Sequence, residues 1–394
     1  MCLGWCLGSL TFGIFTSSIT LFGKLIPWGP ASTGKYFTTI HFLLALLGAC
    51  MIDRVPVRFI SWPKTLYASE AAWKTVGMMR IFMGVFGYHL LLALLLVKVE
   101  SSEDARASIQ NGLWPIKVLL LIGLIAGSFL VPLSVLSMFT RIAWLLAFFY
   151  LIVQAVLFID LIYNEAEKVG NRLERAESNV PLYLHITLMV LLYLFSLAMI
   201  VLATVFTNPN SIKVVALGWF QAFLQIVLLL LSVSDPIQAA NDQAGIYQSG
   251  LTCIYSTLVL NNAFTGGYGA DRSGLMSTLF LVVILVYAAY NVGLSSRQFL
   301  DLEKGAAGAE QIHYNMTFFN LIFAVAAAYA MLVLTNWSYI VIQPHELIPG
   351  VQQIITEEYR DMNFYSKVFS SFSLSLLYGW SLVAPLVMRH RDFD

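Results

Sequence analysis

Charged side chains are scarce in this chain of 394 residues. Asp, Glu, Lys and Arg make up 11% of it, whereas a soluble domain carries roughly 25%. Hydrophobic residues account for 59%, and the mean hydropathy is +0.77. The 22 basic and 22 acidic residues cancel, so the chain lacks the basic surface that holds nucleic acid. The composition predicts a polytopic membrane protein that does not bind nucleic acid.

Cysteine is also rare, with four in the chain. None of them forms a CxxC pair or a Cys/His cluster at a metal-ligand spacing, so we predict no metal site. Cys50 and Cys253 lie in apolar runs and are expected to be inert buried thiols. Cys2 and Cys6 stand at the membrane-proximal N-terminus, where they are either palmitoylated or plain free thiols.

Motifs of the common enzyme classes are missing. The chain has no Walker motif, HExxH, GxSxG or pair of catalytic carboxylates. Asp235 and Asp242 share one connection, but no His or Cys stands near them. We therefore expect a protein that is not an enzyme and needs no cofactor. The N-terminus also lacks the basic residues and the small-residue site of a cleaved signal peptide, so we expect targeting through an uncleaved span.

Long hydrophobic runs are what the chain has in abundance. A membrane-spanning helix needs about 20 residues. Ten segments are candidates: 36–52, 76–97, 113–132, 135–163, 181–206, 211–234, 245–264, 274–294, 312–336 and 363–388. Residues 8–26 form an eleventh apolar run, which is either a re-entrant or interfacial helix or a further span. We therefore predict an N-terminal segment, 1–35, followed by one all-α transmembrane domain, 36–394.

Basic residues in the connections predict the orientation. If residues 1–35 do not cross and lie in the cytosol, the cytosolic segments hold 11 Lys and Arg and the opposite side holds 6. Residues 53–75 carry four of those six. The balance predicts that both termini are cytosolic, in the plasma membrane or a membrane of the secretory pathway.

Polar residues follow one face of the apolar segment 312–337. His313, Thr317 and Asn320 are spaced by four and three residues, which aligns them on a helix. An unpartnered polar group in hydrocarbon costs free energy. We therefore expect this face to contact protein or a wet cavity rather than lipid tails.

Two charged residues lie inside consecutive predicted spans. Lys117 is near the start of 113–132, and Asp160 is near the end of 135–163. Since the two spans are antiparallel, both residues fall towards the cytosolic leaflet. Either they form an ion pair, which lowers the cost of each charge, or Lys117 extends to the headgroups, or Lys117 acts directly on a lipid headgroup.

Two further segments carry polar residues. Gln248, Thr252, Tyr255 and Asn262 lie close to one face of 245–264, and several serines lie in 363–388. Such residues often let membrane helices approach closely. The alternative is that they line a groove wet enough for a lipid headgroup, together with the polar face of 312–337.

Four stretches resemble the serine incorporator (TDE/TMS) family of membrane proteins. One is 96–132, which contains Lys98, the embedded Lys117 and Pro132. The others are QSGLTCIYSTLVL within 245–264, the segment 312–337, which ends in LTNW, and KVFSSFSLSLLYGWSLVAPLVMRHRDFD at the C-terminus. The stretches are long and in the family's order. One departure is the lack of cysteine in 53–75, where family members usually carry it.

The resemblance implies ten transmembrane helices in two subdomains, crossed by one long diagonal helix that would carry Lys117. It also implies a lipid-accessible groove between the subdomains. Two activities come with the family: promotion of serine incorporation into phosphatidylserine and sphingolipids, and ATP-independent movement of phospholipids between leaflets.

We therefore predict a lipid-handling membrane protein that lets phospholipids cross passively, promotes serine incorporation, or does both. A non-catalytic carrier or scaffold that delivers serine to lipid-synthesising enzymes is the alternative, and a secondary solute transporter is a further one. The expected partners are membrane phospholipids, then serine, lipid-synthesis enzymes or a second copy of the chain.

Overall fold

Helices account for most of the chain in the computed structural model. The structure describes residues 38–48, 69–99, 106, 109–110, 113–175, 178–207, 210–241, 244–265, 280–287, 316–344, 352–358 and 360–387. The predicted run 8–26, the candidate residues Cys2, Cys6 and His313, and also Cys50 lie outside these ranges.

Besides the helical residues 109–110, the described residues form eleven helices. They are α1 (Thr38–Gly48), α2 (Glu70–Leu95), α3 (Trp114–Ser128), α4 (Leu133–Glu174), α5 (Val180–Val201), α6 (Ile212–Ser232), α7 (Asp235–Ala240), α8 (Ile246–Thr265), α9 (280–287), α10 (Met316–Leu334) and α11 (Arg360–Val387). A π-helical segment, Leu202–Thr207, continues α5. Each of the ten predicted segments overlaps with one of these helices.

Six of the described helices are long and apolar enough to cross a membrane. They are Glu70–Leu95, Leu133–Glu174, Val180–Val205, Ile212–Ser232, Met316–Leu334 and Asp361–Val387. The helices α1 and α3 are apolar but shorter. The all-α polytopic class is therefore confirmed, while the count of ten spans stays a prediction.

Helix α4 is the long helix of the fold, with 42 residues. Lys117 lies instead on the preceding helix α3, which has 15 residues, so the expectation that the long helix carries Lys117 is wrong. The two helices are separate because Pro132 has no N–H and disfavours a helical residue before it. Arg80 of α2 stabilises this break. Its Nη1 donates to the Ser128 carbonyl and also to the Val131 carbonyl, at 2.9 Å.

Helix α4 joins two groups of helices. In the first group, α2 packs against α3 and α10; in the second, α5, α6, α8 and α11 pack together. Helix α4 contacts α2 and α10 on the one hand and α8 and α11 on the other. This arrangement agrees with two subdomains crossed by a long helix.

A short hairpin, which the sequence analysis did not predict, follows α10. Strand β1 (Ser338–Pro344) pairs antiparallel with β2 (Gln352–Glu358), and Ile340 stands opposite Thr356. Ile340 and Ile354 are buried, and Tyr339 donates a hydrogen bond from its hydroxyl to Glu357. The β-branched residues of both strands favour this pairing.

Gly84 allows α2 to approach α3 closely. A Cβ at this position would lie 2.6 Å from the Ile125 Cα and 2.8 Å from the Ile125 N. Because these are backbone atoms, we expect Gly84→Ala to push the helices apart and lower the free energy of unfolding by roughly 1–3 kcal/mol. The loss would be measured as a lower Tm in detergent.

Gly87→Ala, one turn further along α2, is the matched control. Nothing lies within 4 Å of a Cβ at Gly87, and Ala is the better helix former. We expect its Tm to be unchanged or raised. Equal losses in the two variants would contradict the close packing at Gly84.

Candidate functional site: a polar pocket beside the long helix

A cavity of about 40 Å³ lies where α4 meets helices of both groups. Helices α4, α8, α9, α10 and α11 all contribute to its lining. Since roughly 10–15 Å³ on this measure holds one water, the cavity has room for a polar group of a few atoms. Its polar lining consists of Gln154, Tyr255, Asn262, Tyr329, Ser366, Lys367 and Ser370.

Lys367 of α11 is the cation of this pocket. It is 8% exposed, and its Nζ lies 3.5 Å from Asn262 Oδ1. The ion pairs of the described residues join Lys74 to Glu70 and Lys168 to Glu165, so no described carboxylate neutralises Lys367. The sequence analysis missed this residue. The signal was present, because Lys367 is the lone charged residue in 363–388 and an isolated charge in a span marks a candidate site.

Gln154 of α4 also belongs to the polar lining. The side chain is 3% exposed, and its Nε2 donates to the Tyr255 hydroxyl at 3.3 Å. Its Oε1 has no hydrogen-bond partner in the part of the chain that the structure describes. An unpartnered buried polar atom costs free energy, so Gln154 retains a hydrogen-bonding capacity that no described residue satisfies.

One residue of the lining is also exposed on the outer surface of the helices. Leu258 is 38% exposed. Large apolar side chains such as Leu376 and Trp380 of α11, outside the lining, are exposed as well, as expected for helices that face lipid tails. The pocket therefore lies close to the lipid-facing surface at Leu258.

Of the residues predicted on one face of 245–264, Tyr255 and Asn262 lie in the pocket and Gln248 and Thr252 do not. Gln248 and Thr252 are buried nearer the other end of α8, where the Thr252 hydroxyl donates to the Gln248 carbonyl at 2.9 Å. This bond stays within the helix. The structure therefore brings two of the four to the candidate site.

Several hydroxyl and amide side chains of the second helix group bond helices to one another. Gln221 of α6 donates to the Ser256 hydroxyl of α8 at 2.8 Å. Ser371 of α11 donates to the Ser256 carbonyl at 2.9 Å. The bonds of Ser256 and Ser371 agree with the packing alternative. Cys253, close to them in α8, is a buried free thiol, as expected.

The predicted polar face of α10 contacts protein, as expected, but it does not line the pocket. Thr317 donates to the Leu96 carbonyl at 2.8 Å. Asn320 is fully buried, donates to Gln110 Oε1 at 3.0 Å and lies 3.4 Å from His89 Nδ1. Helix α10 reaches the pocket through Tyr329 instead, so its polar face holds α10 against α2.

Lys117 and Asp160 do not pair with each other. The Lys117 Nζ donates to the Gln110 carbonyl at 2.8 Å and lies 3.3 Å from the centre of the Trp114 ring. Asp160 accepts from the Tyr287 hydroxyl at 2.5 Å. The ion-pair hypothesis is therefore wrong. Lys117 is 4% exposed, so its side chain does not extend to the surface either, because backbone and aromatic partners hold it inside.

The fold and the pocket define a polytopic α-helical membrane protein with a polar intramembrane pocket between two helix groups. The model of the family described as serine incorporator (Serinc) matches residues 31–305 and 294–391. The chain belongs to the serine incorporator family and is an integral, multi-pass membrane protein.

Individual relatives are similar over most of their length. A probable serine incorporator of Nematostella vectensis is 25% identical over 388 residues, which cover 83% of each chain. One of Dictyostelium discoideum is 26% identical, covering 80% of this chain and 83% of the relative. Serine incorporator 3 of Bos taurus is 24% identical, covering 80% and 79%.

Proposed function

We propose that this protein moves phospholipids passively between the two leaflets of its membrane. The observation that carries the proposal is the pocket beside α4, where Lys367 and other polar groups lie within an apolar helix bundle. A headgroup that enters hydrocarbon loses its hydration, and polar protein groups replace part of it. The chain has no nucleotide-binding motif, which supports a passive mechanism.

The predicted orientation sets the depth of the pocket. Lys367 is near the start of α11 and Asn262 is near the end of α8. With both termini in the cytosol, both helix ends lie in the leaflet away from it. Lys117, near the start of α3, then lies towards the cytosolic leaflet. We propose that a headgroup passes along α4 between these two levels.

A second candidate function is non-catalytic carriage of serine to lipid-synthesising enzymes. Its support is the size of the cavity, about 40 Å³, which suits a small polar molecule better than a whole lipid. The relatives' names, serine incorporator, support it as well.

Leaflet exchange in liposomes tests the proposal. The full chain is reconstituted in liposomes that contain a fluorescent phospholipid, and a membrane-impermeant quencher is then added outside. We expect the protein to expose the inner-leaflet probe, so that more fluorescence is lost than in empty liposomes. Equal losses in the two preparations would overturn the proposal. In that case, binding of radiolabelled serine by the same preparation would favour the carrier.

A further inference from the structure

We infer that the pocket beside α4 is an anion site, in which Lys367 anchors a phosphate or carboxylate group and Gln154 bonds a neighbouring polar atom of the same ligand. The inference rests on the proposed function, because it names the chemistry that the pocket recognises. It also assigns a binding role to a lysine that the sequence analysis missed.

Charge is the first argument. Lys367 is buried, and the pocket lining contains no Asp or Glu. A buried cation without a counter-charge is costly, and the cost falls when an oppositely charged group binds beside it. The pocket therefore favours anions over neutral polar molecules.

Hydrogen-bonding capacity is the second argument. An ammonium group has three N–H donors. The contact from Lys367 to Asn262 Oδ1, at 3.5 Å, is beyond the usual N–H···O range of 2.7–3.2 Å. Most of the donor capacity of Lys367 is therefore open within the described structure. Bonds from an ammonium to an anionic oxygen are shorter and roughly twice as strong as neutral ones.

Gln154 is an independent indication of a ligand. One end of its amide bonds to Tyr255, and the other end has no partner among the described residues. The oxygen and nitrogen of an amide are assigned from their contacts, so in either orientation one polar atom remains for a ligand. A cation and an open amide on different helices of one cavity form a built site.

The ligand group is small. A cavity of about 40 Å³ accommodates a phosphate or carboxylate but not acyl chains. The exposed Leu258 in the lining leaves a route by which acyl chains remain outside among lipid tails. The anion can thus belong to a phospholipid headgroup or be free in solution, and the experiment separates these two sources.

Isothermal titration calorimetry on the full chain in a non-ionic detergent tests the site. The probes are dihexanoyl phosphatidylglycerol, inorganic phosphate and dihexanoylglycerol, which has the same chains without an anion. We expect phosphatidylglycerol to bind and dihexanoylglycerol not to bind. Phosphate binding that competes with the lipid would identify the free anion as sufficient, whereas no phosphate binding would show that the lipid part is needed.

The variants are Lys367→Met, Lys367→Arg and Lys168→Met. We expect Lys367→Met to weaken phosphatidylglycerol binding by roughly 10- to 100-fold, which corresponds to the loss of one charged hydrogen bond. Lys367→Arg should retain binding. Lys168→Met removes an exposed lysine that pairs with Glu165 on α4 and should bind as the parent does. Methionine relieves an unpaired buried charge, so the Tm of Lys367→Met should not fall.

Unchanged binding in Lys367→Met, or equal binding of the anionic and neutral lipids, would overturn the anion site. Neither result bears on leaflet exchange by the parent chain. Conversely, anion binding that depends on Lys367 in a protein without leaflet exchange would leave the site standing and remove the proposed function.

Discussion

Ser370→Phe should return leaflet exchange to the rate of empty liposomes. Ser370 is buried in α11 and lines the pocket together with Lys367. A benzyl group is larger than the few water molecules that a cavity of about 40 Å³ holds. If headgroups pass through this cavity, the ring blocks the route. The loss is measured with the liposome assay that tests the proposed function.

Ser373→Phe is the matched control for this prediction. Ser373 lies on the same helix, is half-buried, and does not line the pocket. We expect this variant to exchange lipid as the parent does. Thermal unfolding of both variants shows whether overpacking unfolds the bundle. Full exchange by a folded Ser370→Phe protein would place the lipid route elsewhere.

Gln225→Ala should produce the largest loss of stability. Gln225 of α6 is buried and donates to the Cys253 carbonyl of α8 at 3.2 Å and to the Thr257 hydroxyl. It also accepts from Ser196 of α5 at 3.1 Å. Alanine leaves a cavity and removes hydrogen bonds from these polar partners. We therefore expect the free energy of unfolding to fall by roughly 2–4 kcal/mol. Thermal unfolding in detergent measures it.

Gln238→Ala is the control for Gln225→Ala. Gln238 is exposed on α7 and makes one hydrogen bond, to the Ser232 carbonyl at 3.3 Å. We expect its change in the free energy of unfolding to stay within about 0.5 kcal/mol. A loss equal to that of Gln225→Ala would show that the α5–α6–α8 network does not stabilise the bundle.

The positions of the helices were predictable from the chain alone. Apolar runs near the length of a span have few structural alternatives in a membrane, because the backbone must satisfy its own hydrogen bonds. All ten predicted segments therefore contain helix. The break before α4 was also predicted, between segments 113–132 and 135–163, although the apolar character continues through 113–163. Pro132, together with the bonds from Arg80, separates α3 from α4.

The sequence predicted which polar residues share one side of a helix, but not which residues they contact. Periodicity shows that Thr317 and Asn320 share one side of a helix, and both are bonded to protein. Periodicity does not show which helix stands opposite. Here it is α2 together with Gln110, and the polar face consequently lies away from the pocket.

The sequence by itself determined the class of protein, its family and the helical segments, because these depend on local composition and motifs. Only the tertiary structure decided which polar residues meet. Lys117 bonds the carbonyl of Gln110 rather than Asp160, and Lys367 meets Asn262 of another helix, far away in the sequence. The physical reason is that helix packing brings together side chains from distant segments, and it leaves Lys367 without a described counter-charge.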